Sequence, residues 1–177
     1  MLISKKMNAV LNGQVGNEFA ASLQYVAIAS HLASLGLTEL AALFYRQASE
    51  ERDHAMRFVK YLVEAGATVE IPAIPAPKSV FKSVEEAVVL SVEWEKTVTG
   101  QINALVEQSV KESDHITQNM LSWFVHEQLE EISMTENLLK VTQLAGANLL
   151  YIEEYVLRHR DGVTLAAGRP LSKAVAA

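Results

Sequence analysis

Apolar side chains recur every three or four positions in four long stretches of this 177-residue chain. That spacing places them on one face of an α-helix, whereas a strand would alternate at every second position. The first stretch covers residues 4–32, and the second starts near Glu39, with Thr38 as its N-cap, and ends at Gly66. The pattern therefore predicts two long helices joined by a short break.

Residues 67–82 separate the second helix from the third, and three prolines in this stretch forbid a regular helix. A connection of this length can run along a whole bundle. A capping box at residues 83–86 starts the third helix, and Ser113 or Asp114 caps a fourth that ends near Gly146. We therefore predict an all-α four-helix bundle with one long crossover between helices two and three. A short fifth helix at residues 147–159 docks on the bundle end or on a neighbouring subunit.

Composition narrows the class of protein. With 50% hydrophobic residues the chain can bury one core, so residues 1–160 are predicted as one domain and residues 161–177 as a flexible tail. A net charge of −6 without a basic run predicts neither nucleic acid nor membrane binding. The chain has no cysteine, so a metal would need oxygen and nitrogen ligands. Since no signal peptide or spanning segment is recognisable, we expect a cytoplasmic protein.

Carboxylates and one histidine interrupt the apolar seams of all four helices. Buried carboxylates are costly unless they are paired or coordinate a cation, so their convergence predicts a metal site inside the bundle. At ~100° per residue, Glu51 and His54 lie about 60° apart, and Glu50 lies about 40° from His54. The residues in the seams are Glu18, Glu51, His54, Glu95, Gln128 and Glu131.

The fourth helix divides its acidic residues between two directions. Gln128 and Glu131 are about 60° apart, whereas Gln128 and Glu130 are about 160° apart and cannot both face one metal. Glu127 and Glu130 therefore serve a neighbouring site or solvent. Oxygen-rich ligation with one imidazole suits Fe(II), Mn(II) or Zn(II), and two ions bridged by carboxylates use the charge best. The net ligand charge also favours Fe(III).

Tyr25 is the candidate partner for these ligands, because it follows Glu18 by seven residues and lies about 20° from it in projection. Its hydroxyl can hydrogen-bond a ligand carboxylate or the ring can lend an electron. Packing is an alternative role for Tyr25, and it is the favoured role for Trp123.

Four segments resemble the bacterial non-haem ferritins in order and spacing, namely residues 17–25, 49–54, 94–95 and 123–131. The resemblance implies an iron-storage oxidoreductase, a ferroxidase that oxidises Fe(II) to Fe(III) with dioxygen or peroxide. It also implies a diiron centre within each subunit and a mineral stored in a hollow homo-oligomeric shell of 24 subunits. The implied ligands are Glu18, Glu51 and His54 for one iron, with Glu51 bridging; Glu95, Gln128 and Glu131 for the other; and Glu50, Glu127 and Glu130 for a third iron beside them. Tyr25 would join the central ligands in catalysis.

Departures from related families narrow the resemblance. Bacterioferritins place a haem-ligating Met where this chain has Arg52, and they repeat Glu-x-x-His where it has Gln128 and Glu131, so no haem is expected. Because only one site has a histidine, we predict tighter binding there and easier iron departure from the other. Two alternatives stay open: a diiron oxidase of an organic substrate or peroxide, and a structural bundle that holds a static metal such as Zn(II), or none.

Overall fold

The computed structural model describes residues 2–159, which form five helices and no strand. The predicted all-α four-helix bundle with a short fifth helix is confirmed. The tail predicted for residues 161–177 lies outside the described residues. No helix within residues 2–159 is long and apolar enough to cross a lipid bilayer. The helices are α1 (Lys5–Ser34), α2 (Thr38–Glu64), α3 (Val84–Lys111), α4 (His115–Ala145) and α5 (Leu149–Arg158).

The connection between α2 and α3 runs along α1, as the long crossover requires. Two side-chain amides of α1 each pair with the backbone of the connection in both directions. Asn12 donates to the Thr68 carbonyl at 2.9 Å and accepts from the Glu70 N–H at 2.7 Å. Gln24 donates to the Lys78 carbonyl at 2.8 Å and accepts from its N–H at 2.9 Å. The backbone of the proline-containing connection is therefore held by side chains of α1, and the connection forms no helix of its own.

The helix ends follow the predicted caps at most positions. Ser4 accepts a hydrogen bond from the Met7 N–H at 2.9 Å, and the Asp114 carboxylate accepts from the Thr117 N–H at 3.0 Å. At the capping box, Ser83 accepts from the Glu86 N–H at 3.1 Å. The Glu86 side chain instead accepts from the Lys82 N–H, so only half of the box forms.

The predicted N-cap of α2 is wrong. Thr38 is already helical, Leu37 occupies the cap position, and neither side chain caps the helix. The carboxylate of Glu153 on α5 does so instead, because it accepts from the Glu39 N–H at 2.9 Å and from the Leu40 N–H at 2.8 Å. An acidic group at a helix N-terminus also interacts favourably with the helix dipole. The fifth helix therefore docks on the end of its own bundle.

Two apolar clusters fill the bundle, one at each end. The end next to α5 contains Tyr25, Phe44 and Leu138, and the opposite end contains Phe58 and Phe124. In each long helix the predicted metal ligands fall between the residues of these two clusters. The apolar ends thus exclude water from a polar layer at mid-height, which contains the buried side chains of Glu18, Glu51, His54, Glu95, Gln128 and Glu131.

Candidate metal centre

Glu18 of α1 and Glu51 and His54 of α2 form a compact buried group. Each offers a ligand atom, and the three atoms lie within 4.8 Å of one another. His54 Nδ1 is 3.2 Å from Glu51 Oε2, as expected for side chains one helical turn apart. The Oε1 of Glu18 accepts from Gln14 Nε2 at 2.8 Å, whereas its buried Oε2 has no hydrogen-bond partner. A buried carboxylate oxygen without a donor is the chemistry that a cation satisfies.

Glu95 is fully buried on α3 and is held by residues of two other helices. The Tyr25 hydroxyl donates to its Oε1, so this tyrosine contacts a carboxylate that the sequence analysis assigned as a ligand. Gln128 Nε2 lies 3.3 Å from Glu95 Oε2 and 3.1 Å from Thr99 Oγ1. Glu95 and Gln128 are therefore neighbours, as a shared site requires.

Glu131 of α4 lies in the same buried layer but has a different hydrogen-bond partner. Both of its carboxylate oxygens accept from Gln47 Nε2, at 3.1 and 3.0 Å. The same nitrogen also donates to Glu50 Oε2 at 2.8 Å. Gln47 consequently links Glu131 of the buried layer to Glu50, which is one of the predicted ligands of the third site.

Burial raises the pKa of every carboxyl group in the layer, and the charge of Glu95 raises the pKa values of Glu18, Glu51 and Glu131 further. Burial raises the pKa of Glu18 to about 7, although the hydrogen bond from Gln14 lowers it. The pKa values of Glu51 and Glu131 lie well above the usual range because of burial and then the charge of Glu95. The pKa of Glu95 is also raised by burial. Without a cation, it is therefore unfavourable to ionise all four carboxyl groups of this layer at once.

The imidazole and the phenol of the layer are both neutral near pH 7. Burial, and then the nearby charge of Arg57, lowers the pKa of His54 to about 4. A neutral imidazole is the form that ligates a metal. Burial and the neighbouring carboxylates raise the pKa of Tyr25 well above its ordinary value, so its hydroxyl keeps the proton that it donates to Glu95.

Glu50, Glu127 and Glu130 form a second acidic group beside the central layer, and we call it the flanking group. Burial and then the charges of Glu130 and Glu50 raise the pKa of Glu127 to about 7, although the charge of Arg57 lowers it. Within residues 2–159, the ligand atoms of these three carboxylates do not meet the 4.8 Å spacing that Glu18, Glu51 and His54 meet. Burial raises the pKa of Glu50 as well. The group borders a cavity of about 480 Å³ between α2, α4 and α5, which Gln47, Glu50, Glu130 and Glu131 help to line.

Trp123 packs against the histidine of the centre. Its ring meets the His54 ring edge-on at a centroid distance of 5.4 Å, and the Arg57 guanidinium lies 3.7 Å from its ring centroid. Phe124 also packs edge-on against His54, with centroids 5.9 Å apart. These aromatic contacts fix the orientation of the imidazole and keep it dry.

Sequence analysis missed two glutamines that position the candidate ligands. Gln14 precedes Glu18 by one helical turn, and Gln47 precedes Glu51 by one turn and Glu50 by three residues. Both amides are buried, and each donates to a candidate ligand. The available signal was an uncharged polar residue within the apolar seam one turn before a carboxylate, since such a residue can share its face.

Comparisons with known proteins agree with this architecture. The family model for the ferritin-like domain matches residues 8–145. Ferritin BfrB of Mycobacterium tuberculosis is 39% identical over 165 residues, which cover 93% of this chain and 91% of that protein. A bacterial non-heme ferritin of Staphylococcus aureus is 34% identical over 161 residues, or 90% of this chain and 97% of that protein.

A solved structure is similar as well. An open pore ferritin from the hyperthermophilic archaeon Archaeoglobus fulgidus has a TM-score of 0.85 at 32% identity, covering 87% of this chain and 96% of that one. The five-helix architecture, the buried layer of carboxylates and histidine, and the matched family model lead to one conclusion. The chain belongs to the ferritin family, with bacterial ferritins among its relatives.

Proposed function

We propose that this protein stores iron and acts as a ferroxidase, oxidising Fe(II) to Fe(III) with dioxygen or peroxide at a diiron centre within each subunit. Family membership supports iron storage. The observation that carries the oxidation chemistry is the group formed by Glu18, Glu51 and His54, whose ligand atoms lie within 4.8 Å of one another. Its donors, carboxylate oxygens and a neutral imidazole, are those that bind iron.

In this proposal two Fe(II) ions bind side by side as substrates. Glu18, Glu51 and His54 hold the first, and Glu95, Gln128 and Glu131 hold the second, with Glu51 between them. Each Fe(II) gives one electron, so the pair reduces one dioxygen molecule to peroxide and takes up two protons. Because their pKa values are raised, the carboxyl groups of Glu18 and Glu51 hold protons before iron binds. The arriving ions displace these protons.

The residues around the ions act by position and by charge. Tyr25 holds Glu95 through its hydroxyl, and Trp123 and Phe124 orient His54. Four carboxylates in a dry layer favour the higher charge of Fe(III), which lowers the cost of oxidation. Because the second site has the weakly basic amide of Gln128 where the first has the imidazole of His54, we propose that Fe(III) leaves from the second site more easily.

The flanking group of Glu50, Glu127 and Glu130 is the proposed site of a third iron. Gln47 links it to Glu131. Burial and then the neighbouring acidic charges raise the pKa of Glu127 against the charge of Arg57, so a bound cation would stabilise the ionised carboxylates there. We further propose a cytoplasmic shell of 24 subunits that binds neither nucleic acid nor membranes. No haem is part of this proposal, because the exposed Arg52 stands where bacterioferritins have their ligand Met.

Aerobic addition of Fe(II) to the purified assembly tests the oxidation. We expect oxidation well above the protein-free rate, and we expect Glu51→Ala combined with His54→Ala to remove most of it. An exposed control, Glu107→Gln, should leave the rate unchanged. Oxidation no faster than in buffer, or a double variant as fast as the wild type, would refute the ferroxidase proposal.

One observation favours a second candidate, a diiron oxidase that acts on an organic substrate. Such an enzyme needs a pocket beside its metals, and the cavity of about 480 Å³ reaches Glu131 and has apolar walls that include Leu43 and Met134. Size and iron content separate the two functions. The storage shell predicts a particle near 470 kDa, about 24 chains of 19.5 kDa, that takes up many irons per subunit. A monomer or dimer that takes up two irons would favour the oxidase.

A further inference from the structure

The side chain of Gln47 stands between the central layer and the flanking group and is 4% exposed. Its Nε2 donates to Glu50 Oε2 at 2.8 Å and to both oxygens of Glu131 at 3.1 and 3.0 Å. Within residues 2–159, neither carboxylate accepts a side-chain hydrogen bond from any other residue. One amide nitrogen therefore serves one carboxylate of each group.

The carbonyl oxygen of the Gln47 amide differs from its nitrogen in its contacts. Among the hydrogen bonds of residues 2–159, all those of the Gln47 side chain are made by its nitrogen. The residue also lines the cavity of about 480 Å³ between α2, α4 and α5, which gives the amide room to turn. Its carbonyl oxygen is a hard donor of the kind that carboxylate sites add around a divalent ion.

The charge around Gln47 decides which end of the amide faces the carboxylates. Between the acceptor oxygens of Glu50 and Glu131, the N–H end of the amide is favoured, because it donates to both carboxyl groups. A cation bound there reverses the preference, since it repels the N–H groups and attracts the carbonyl oxygen. We propose that Gln47 turns its amide when a cation occupies the flanking group and then binds that cation through Oε1.

This inference rests on the proposed third iron site and deepens it in two respects. It adds Gln47 to the three glutamates, Glu50, Glu127 and Glu130, as a fourth ligand of the flanking cation. It also links the two sites, because the turn withdraws both hydrogen bonds from Glu131, which is a proposed ligand of the central pair. By reciprocity, occupancy of the flanking group and of the second central site then change each other's affinity.

Gln14 provides a matched comparison within the same chain. It is also a buried glutamine of a long helix, and its Nε2 donates to the candidate ligand Glu18 at 2.8 Å. Its oxygen, however, accepts from Asn17 Nδ2 at 3.1 Å, and its nitrogen also donates to Gln101 Oε1 at 3.2 Å. An amide held at both ends loses these bonds on turning, so Gln14 keeps its orientation.

Titration of the assembled protein with Zn(II), which does not change oxidation state, tests the proposal by calorimetry. The flanking event is the one that Glu130→Gln weakens. Gln47→Leu should weaken it about tenfold, because it removes an oxygen ligand. Gln47→Glu should bind Zn(II) at least as tightly as the wild type and yet melt lower without metal, since it replaces the N–H donor by a further negative charge. If Gln47 had only a structural role, a variant that melts lower without metal would also bind Zn(II) less tightly.

The Gln14 variants control for packing and for added charge. Gln14→Leu and Gln14→Glu should leave the flanking Zn(II) affinity within about twofold of the wild type. A crystal structure with Zn(II) should place Gln47 Oε1 about 2.0–2.2 Å from the flanking ion. Circular dichroism and particle mass check that each variant folds and assembles.

Three results would overturn the inference. The first is a Gln47→Leu protein whose flanking affinity is within about twofold of the wild type. The second is a Gln47→Glu protein that binds as weakly as Gln47→Leu. Either result leaves the three-carboxylate site in place. The third is a wild-type titration without any event that responds to Glu130→Gln, which would remove the third iron site together with this inference and leave oxidation at the central pair untouched.

Discussion

Metal-free protein should become less stable as the pH rises through the range in which Glu18 ionises. Burial raises the pKa of this carboxyl group from 4.5 to about 7 in the folded chain. The folded state therefore holds the proton more tightly than the unfolded state does, so the stabilisation is complete below pH 4.5. It is lost as the pH increases to about 7.

The size of this effect follows from the pKa difference. Each pKa unit corresponds to about 1.4 kcal/mol, so the shift of Glu18 from 4.5 to about 7 costs about 3 kcal/mol between pH 4.5 and pH 8. For a chain of this size, that corresponds to roughly 6–12 °C in melting temperature. Glu18→Gln keeps an oxygen to accept from Gln14 and has no charge to bury. The variant should lack this part of the pH dependence.

Thermal unfolding with a chelator present, at one fixed subunit concentration, measures the difference. Between pH 4.5 and pH 8 the wild-type melting temperature should fall by roughly 6–12 °C more than that of Glu18→Gln. Glu107→Gln, at an exposed position, should retain the full wild-type slope. Parallel pH profiles for the wild type and Glu18→Gln would show that Glu18 is not buried as a raised-pKa acid, and the reasoning would fail.

Three further predictions follow from individual contacts. Gly16→Ala should destabilise the protein by about 1–3 kcal/mol in thermal melts, because a Cβ would lie 2.3 Å from Pro72 Cγ, whereas Gly13→Ala, with open space around it, should be neutral or stabilising. Equal effects would contradict the packed crossover. Tyr25→Phe should cost about 1–3 kcal/mol without metal, because Glu95 loses a donor, and an unchanged melting temperature would argue against that hydrogen bond. Glu153→Gln should cost about 0.5–1 kcal/mol through its weaker interaction with the α2 N-terminus, and a matching loss in the exposed control Glu107→Gln would refute this specific role.

Helix periodicity carried most of the fold, because each long helix has an apolar seam that must face a core. The prolines between α2 and α3 predicted a connection that the amides of Asn12 and Gln24 now hold against α1. Angles on a single helix also separated Glu127 and Glu130 from Gln128. All of these inferences need only distances along one element.

Contacts between elements far apart in sequence were out of reach. The Glu153 carboxylate caps α2 by accepting from the Glu39 N–H, although the two residues are 114 positions apart. No local sequence pattern predicts this contact. Gln47 meets Glu131 across 84 positions, so its link to the flanking group depends on how α2 and α4 pack. A single sequence gives the directions in which side chains leave each helix, and it does not give the distance to the neighbouring helix.

Diffraction from crystals soaked with Fe(II), recorded at the iron absorption edge, would locate the irons within each subunit. We expect two neighbouring iron peaks inside each bundle. One should be bounded by Glu18, Glu51 and His54, and the other by Glu95, Gln128 and Glu131. Iron found only on the outer surface of the subunit, or a single ion that touches neither of these sets, would contradict this expectation.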